Sequence, residues 1–431
     1  MSQTYAETLQ YLYTNLPMFQ RIGAAALKND LTNTLKLCEA LGNPQKKFKS
    51  IHVAGTNGKG STSHMLASVF QSAGYKTGLY TSPHLKEFTE RIRVNGAEIE
   101  KSFVVDFVER VKPLIAQIEP SFFEITVVMA FDYFVFCGID IAIVEVGLGG
   151  RLDSTNVILP ELSVITNIGW DHKDILGDTL EKIAAEKAGI IKPNVPVVIS
   201  ERQPGIDKVF LDRAKKQKAT LFFASEEYHV EQRVVDGHVT LEVLRDREVL
   251  LNEITLPLQG FYQRRNIAGV LKAVNLMRGM GWTITSQQLR QGLEQVVQQT
   301  GLKGRWQILS QHPLTVCDTG HNVDGIHEVV RQIGAQTYRK LFMVIGMVKD
   351  KDIRDVLALL PKDANYYFCQ AKIPRALDAG SLSDMALAAG LTGKVVVDVN
   401  EALGEARKQA TKEDMIFIGG STFVVAEIND L

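Results

Sequence analysis

The chain has 431 residues, enough for two or three domains with ample core. Its 48 Lys plus Arg against 49 Asp plus Glu leave a net charge of −1, which argues against nucleic acid or an anionic membrane surface as the main partner. The four cysteines, Cys38, Cys137, Cys317 and Cys369, stand far apart without CxxC spacing, so neither a zinc site nor a disulfide framework is expected. The N-terminal MSQTYAETLQYLYTNL lacks a basic region followed by a long apolar run, and no later stretch offers the roughly eighteen apolar residues of a membrane span. A soluble, cytoplasmic, monomeric protein is the expectation.

Residues 1–45 read as helical up to a turn at Asn43 and Pro44. Within them MFQRIGAAALKNDLTNT, residues 18–34, is expected to be an ordinary helix with its connection; the alternative is a loop that covers a substrate. The next stretch, IHVAGTNGKGSTSHMLASVF, reads as a short buried strand, a glycine-rich loop from Gly55 to Gly60, and a helix opening at Ser61. Gly55, Thr56, Asn57, Gly58, Lys59, Gly60 and Ser61 thus form a P-loop variant. Glycines turn backbone N–H groups inward, the helix N-terminus adds unpaired donors, and Lys59 brings a mobile charge. Compared with GxxxxGK[ST], the leading glycine is two positions nearer the lysine and Gly60 parts Lys59 from Ser61. The hydroxyl that binds metal in common P-loops is thereby displaced, and a magnesium ion must find ligands elsewhere. The competing reading is a strand-to-helix turn with no ligand; Lys and Ser in this setting argue against it.

Further apolar runs at 76–81, 139–146, 162–166 and 195–200 alternate with helical patterns and predict a mostly parallel sheet covered on both faces. In such sheets ligands sit beyond the carboxyl ends of the strands. The residues at those ends are the P-loop, Ser82 and His84, Glu145 with GLGGRLDSTN, and Asn167 with IGWDH. A carboxylate closing so apolar a strand is costly to bury without a cation, so Glu145 reads as a magnesium ligand. His172 alone fits a hydrogen-bonded structural role equally well, and its place at the same sheet edge favours a ligand. Lys187, in EKAGIIKP on a helix from Asp178 to Gly189, reads from composition as a solvated lysine. Residues 219–258 change to alternating strands with turns such as Asp236-Gly237, an appended antiparallel sheet. A helix starts near Asn266, GLKGR (301–305) reads as a linker, and LTVCD, LFMVIG, NYYFCQ, KVVVDV and MIFIGG supply five strands of a second domain. The fold class is therefore α/β: a P-loop-containing, mostly parallel, doubly wound sheet with a small antiparallel addition over residues 1–299, plus a smaller Rossmann-like α/β domain over 300–431.

Taken in order, HVAGTNGKGST, TSPHL with ERIRVNG, FFEIT, EVGLGGRLDSTN, NIGWDH, EKAGIIKP, YQRRN, GRW and DTGHN resemble the folylpolyglutamate synthase/dihydrofolate synthase family of Mur-ligase-like, ATP-dependent amide ligases. The resemblance covers nearly the whole chain. Only about fifty residues precede the P-loop, too few for the uridine-nucleotide domain of Mur ligases themselves. The resemblance implies that Gly58, Lys59, Gly60 and Ser61 hold the ATP phosphates. It implies one magnesium on Ser82 and Glu145, and a second on Glu145, His172 and a carbamylated Lys187. It assigns Asn266, Arg305 and Asp318, with His321 nearby, to the nucleotide in a cleft between domains. Thr126 and Asp153 match positions near the pterin-bearing substrate. Ser154 stands where relatives often carry alanine, and FQRIGAAALKND lacks the usual apolar-Gly pattern, so pterin contacts are not carried onto it.

The implied reaction is ligation through an acyl phosphate, with ATP, L-glutamate and dihydropteroate or a (poly)glutamylated tetrahydrofolate as partners in folate and one-carbon metabolism. The alternatives are folylpolyglutamate synthesis alone, a Mur-type amino-acid ligase with another acceptor, and a nucleotide-binding switch. The last would not need Glu145, His172 and Lys187 together.

Overall fold

The computed structural model describes residues 4–26, 28, 30–235, 238–349 and 353–431. These fall into two compact units: 1–169 with 173–257 and 264–301, and 302–431 with the short segments 170–172 and 258–263.

The first unit is built on strands β1 (Lys49–Ala54), β2 (Thr77–Tyr80), β3 (Ile92–Val94), β4 (Ala97–Glu98), β5 (Ile141–Glu145), β6 (Leu162–Ile165), β7 (Val197–Ile199) and β8 (Leu221–Phe223). They form one sheet in the order β4-β3-β2-β5-β1-β6-β7-β8. β2, β5, β1, β6, β7 and β8 run parallel, and only the edge hairpin β3–β4 is antiparallel. Every residue of β5 and β6, and all of β1 after Lys49, is buried, as expected of strands covered on both faces. β5 and β6 flank β1 on opposite sides, so the loops after all three strands meet where the strand order reverses.

The hairpin β3–β4 turns at Asn95-Gly96, both with positive φ, a two-residue signal that the sequence reading passed over. Residues 221–223 belong to the main sheet rather than to the antiparallel addition. That addition comprises β9 (Tyr228–Val235), β10 (His238–Arg245) and β11 (Glu248–Ile254), and the expected turn at Asp236-Gly237 lies outside the described residues. Segment 18–34 holds a short helix Phe19–Ile22, a 3-10 turn Gly23–Ala26 and the start of helix Thr32–Ala40.

The second unit carries β12 (Gln307–Gln311), β13 (Leu314–Cys317), β14 (Leu341–Ile345), β15 (Asn365–Phe368), β16 (Gly393–Val395) and β17 (Met415–Gly419), in the order β12-β13-β17-β14-β15-β16. The antiparallel β12 was not expected. KVVVDV gives strand only through Val395; Val395 and Val397 are exposed, and Val399 already opens the buried face of a helix capped by Asp398. Its core joins Val316, Ile345 and Phe417 of the sheet to Ile326, Val329 and Ile333 of helix Val323–Gly334. Each such side chain contributes roughly 1.5–3 kcal/mol by leaving water. All four cysteines are free thiols. Among the described residues no helix is long and apolar enough to cross a membrane.

Candidate active site

The P-loop helix spans Lys59–Ser72, opening two residues before the expected Ser61. Its N-cap is Gly58 at φ 86°, with no side-chain cap, so the first-turn N–H groups are not consumed by a capping hydroxyl or carboxylate. Only glycine fits here: a Cβ on Gly58 would lie 2.2 Å from Asn266 Oδ1, and one on Gly55, at φ 149°, would lie 1.8 Å from Thr166 Oγ1. The loop after β6 braces the cradle. Thr56 N donates to Asn167 O (2.8 Å), Asn57 N to Asn167 Oδ1 (2.9 Å), Gly169 N to Thr56 Oγ1 (3.0 Å) and Thr166 Oγ1 to Asn57 O (2.6 Å). Asn266 reaches the cradle from the helix Gln263–Gly279, in which it is buried.

Two lysines converge on one oxygen. Lys59 Nζ donates to Gly55 O at 3.1 Å and to Thr56 O at 3.2 Å, and Lys187 Nζ donates to the same Gly55 O at 2.8 Å. Lys187 is 4% exposed, which overturns the solvated reading. Helix Leu180–Lys187 buries Ile183, Ala184 and Lys187, and i and i+4 share a face, so the lysine follows Ile183 into the interior.

Beside the cradle, Glu145 is 5% exposed at the end of β5 and accepts from Ser82 N at 3.1 Å. The Glu145 carboxylate, and the Ser82 hydroxyl if it turns the same way, are hard oxygen donors of the kind magnesium takes. A lysine ammonium cannot ligate a cation, whereas a carbamate at the same atom could. Among the described residues no group of three or more His, Cys, Asp and Glu gathers to hold a metal without such help. Thr126 is fully buried, its hydroxyl donated to Phe122 O at 2.7 Å. Asp153 accepts from Thr155 N (3.0 Å), Thr155 Oγ1 (2.5 Å) and Leu148 N (2.8 Å), fixing the GLGGRLDST loop; burial raises its pKa against these hydrogen bonds.

In the second unit, Asp318 is buried at the end of β13 and accepts from Tyr262 Oη, Trp306 N and Gly320 N, each at 2.7 Å. Burial raises its carboxyl pKa, opposed by the Tyr262 hydrogen bond and Arg305. Arg305 donates to Gly304 O at 3.2 Å and to the Thr319 hydroxyl. His321 Nδ1 pairs with Thr319 O at 2.9 Å, and its Nε2 lies 3.6 Å from Asp171 Oδ2. His172 Nε2 lies 3.7 Å from that same oxygen, and Asn322 Nδ2 is 3.5 Å from it.

The structure therefore assembles the P-loop, Lys187 and Asn266 in one constellation, pairs Ser82 with Glu145 beside it, and gathers Arg305, Asp318 and His321 in the second unit. His172 groups with that second set through Asp171, and so stands in a different unit from Glu145. Sequence reasoning did not name Asp171 or Tyr262 and gave Thr166, the end of a strand run, and Asn167 no role, although NIGWDH and YQRRN stood among the motifs.

The Mur ligase middle domain family matches residues 53–274, and the Mur ligase glutamate ligase domain matches residues 304–422. The dihydrofolate synthase/folylpolyglutamate synthase of Bacillus subtilis is 32% identical over 99% of this chain and 99% of its own length. A probable bifunctional folylpolyglutamate synthase/dihydropteroate synthase of Haloferax volcanii is 33% identical over 98% of this chain, which spans 50% of that longer relative. The crystal structure of the Yersinia pestis bifunctional folylpolyglutamate synthase/dihydrofolate synthase with AMPPNP and a manganese ion superimposes with a TM-score of 0.84 at 28% identity, over 99% of this chain and 97% of that one. On the match to both Mur ligase domains and the near full-length identity to the Bacillus enzyme, the chain belongs to the dihydrofolate synthase/folylpolyglutamate synthase family of ATP-dependent Mur-type ligases.

Proposed function

We propose that the chain joins L-glutamate by an amide bond to dihydropteroate, and to the γ-carboxylate of (poly)glutamylated tetrahydrofolate, at the expense of ATP. The observation that carries this reading is the convergence of Lys59 and Lys187 on Gly55 O at the P-loop, with the Ser82–Glu145 pair at the neighbouring strand ends. A nucleotide-binding switch would need the cradle but not a second buried lysine in it.

The acceptor carboxylate attacks the γ-phosphorus of ATP, forming a C–O–P linkage as the bond to the β-phosphate oxygen breaks and ADP leaves. P-loop N–H groups and Lys59 hold the phosphates and offset charge on the transferring group. The glutamate amine, having lost its ammonium proton, attacks the acyl carbon; the tetrahedral intermediate collapses, inorganic phosphate leaves and the amide remains. Ser82, Glu145, His172 and carbamylated Lys187 are the proposed holders of two magnesium ions, which when bound neutralise phosphate charge. Asn266, Arg305, Asp318 and His321 are proposed to fix the nucleoside and its phosphates, and the Thr126 and Asp153 segments to shape the pterin side.

The test is ADP release by the purified chain with ATP, L-glutamate and either dihydropteroate or tetrahydrofolate. Turnover should require both acceptor and glutamate. Lys187→Ala should lower it about 10²–10³-fold while ATP binding persists, the range seen when one transition-state contact is lost. Absence of acceptor-dependent ADP release with both pterins would sink the proposal.

A further inference from the structure

Next to the metal-ligand pair lies a buried cation with no counter-ion. Arg91 is 2% exposed and joins no ion pair among the described residues; burial lowers its pKa, opposed by Tyr80, Tyr13 and the more distant Glu90. Its guanidinium lies over the Phe122 ring at 5.4 Å, its Nη2 is sealed and unpartnered, and its Nε donates to His84 Nδ1 at 2.8 Å. Burying a charge without an ion-pair partner is expensive, and a cation–π contact returns only about 0.5–2 kcal/mol. An apolar side chain of similar volume would serve stability better, so Arg91 is not explained as a packing element.

The bond it makes has a chemical consequence. A guanidinium is only a donor, so His84 Nδ1 must be the bare, accepting nitrogen, and the imidazole carries its proton on Nε2. That Nε2–H has no acceptor among the described residues and is not among the sealed, unpartnered atoms of the interior. A cationic donor on Nδ1 also polarises the ring and strengthens Nε2–H as a donor.

The segment is held rigidly at the site's edge. Glu90 accepts from the N–H groups of Leu85 (2.8 Å), Lys86 (2.9 Å) and Glu87 (2.9 Å), and Thr81 N donates to Arg91 O at 3.0 Å. His84 follows Ser82, the partner of Glu145, by two residues. Tyr80, at the end of β2, is buried beside Arg91; burial chiefly raises its pKa, the charges of Asp153 and Glu145 add to that, and Arg91 opposes it.

We propose that His84 is a specificity-determining donor for the acceptor substrate: Arg91 locks it in the Nε2–H tautomer, and that N–H binds a carbonyl or carboxylate oxygen of the acceptor. Arg91 is the positioning residue. This rests on the acceptor-binding reading under Proposed function, and the experiment separates the two.

The lock is tested on the free protein labelled with ¹⁵N-histidine. Long-range ¹H–¹⁵N spectra, with His84 assigned by its loss in His84→Gln, should show a proton on Nε2 and none on Nδ1. A proton on Nδ1 overturns the lock whatever the substrate is. The donor role is tested by acceptor kinetics. His84→Phe should raise the KM for dihydropteroate or tetrahydrofolate about tenfold with the KM for ATP unchanged, and His84→Gln, which keeps an N–H, should recover most of the loss. An unchanged acceptor KM in His84→Phe, or equal rises in the KM for acceptor and ATP, overturns the proposal. If wild type turns over neither pterin, the reading of the reaction fails, and the spectra alone then decide the Arg91 lock.

Discussion

At the scale of single residues, the two lysines on Gly55 O pose a charge problem. Two ammonium groups within hydrogen-bond reach of one carbonyl oxygen repel each other, and the 4% exposure of Lys187 leaves little water to screen them. The carbamylation proposed above would add carbon dioxide to the neutral Lys187 amine with release of a proton, and so would replace the second cation with an anion beside Lys59. The expected result is reversible dependence on dissolved carbon dioxide. Protein prepared in degassed, bicarbonate-free buffer should lose most of its ligase turnover and regain it on adding bicarbonate, and ¹³C-bicarbonate should give one carbamate carbonyl resonance that Lys187→Ala lacks. Equal activity in both buffers together with no such resonance means that Lys187 works as an ammonium. The burial itself could have been read from the chain, because Ile183 and Lys187 share a helical face; composition hid it by weighing the residue type above the register.

At the scale of elements, the strands that came through clearly were those buried on both faces. β14 and β17 are short apolar runs, β5 is one closed by Glu145, and β1 and β6 are mostly apolar with Ser50, His52 and Ser163 buried among them; runs this short between turn signals read as buried strands. The edges were harder. β3, β4 and β12 are short, carry polar residues and pair antiparallel, so their signal lay in turns rather than in hydropathy. KVVVDV does give the edge strand β16, but only through Val395, since β-branched residues on an exposed edge satisfy propensity without burial. One joint of the second sheet depends on a single carboxylate. Asp414, buried just before β17, accepts from Thr411 N at 2.7 Å and Lys340 N at 3.1 Å and pairs with Arg339 at 3.3 Å, tying β17 to the start of β14. Desolvation alone would raise its pKa, but the Thr411 and Arg339 hydrogen bonds prevail and bring it from 3.8 to about 2. A depressed folded-state pKa stabilises above the unfolded value and ceases to do so as pH falls through the folded one. With Arg339 more than half exposed, screening leaves on the order of 1–2 kcal/mol. Asp414→Asn should therefore lower the urea midpoint of the second unit at pH 7. The gap to wild type should stay constant down to about pH 5 and close between about pH 4 and pH 2. A gap that persists unchanged at pH 2 would mean that side-chain shape, not charge, supplies the stability.

At the scale of the molecule, the division into two units determines how ligand binding should appear in unfolding. The P-loop and Asn266 belong to the first unit, Arg305, Asp318 and His321 to the second, and all are proposed for one nucleotide. A ligand that binds only the folded form stabilises it by RT ln(1 + [L]/Kd), about 2.7 kcal/mol at a hundredfold excess over Kd. If the nucleotide contacts are drawn from both units, ADP with magnesium stabilises both, and calorimetry should show the whole unfolding endotherm moving upward with ligand concentration. Removing the metal with a chelator at fixed ADP should reverse part of that rise, because the phosphate charge is then offset by Lys59 and backbone donors alone. If the upward shift were confined to the fraction of the endotherm that a separately expressed 302–431 fragment does not reproduce, the roles proposed for Arg305, Asp318 and His321 would have to be withdrawn. The cradle at Gly55–Ser61 would then account for nucleotide binding without them.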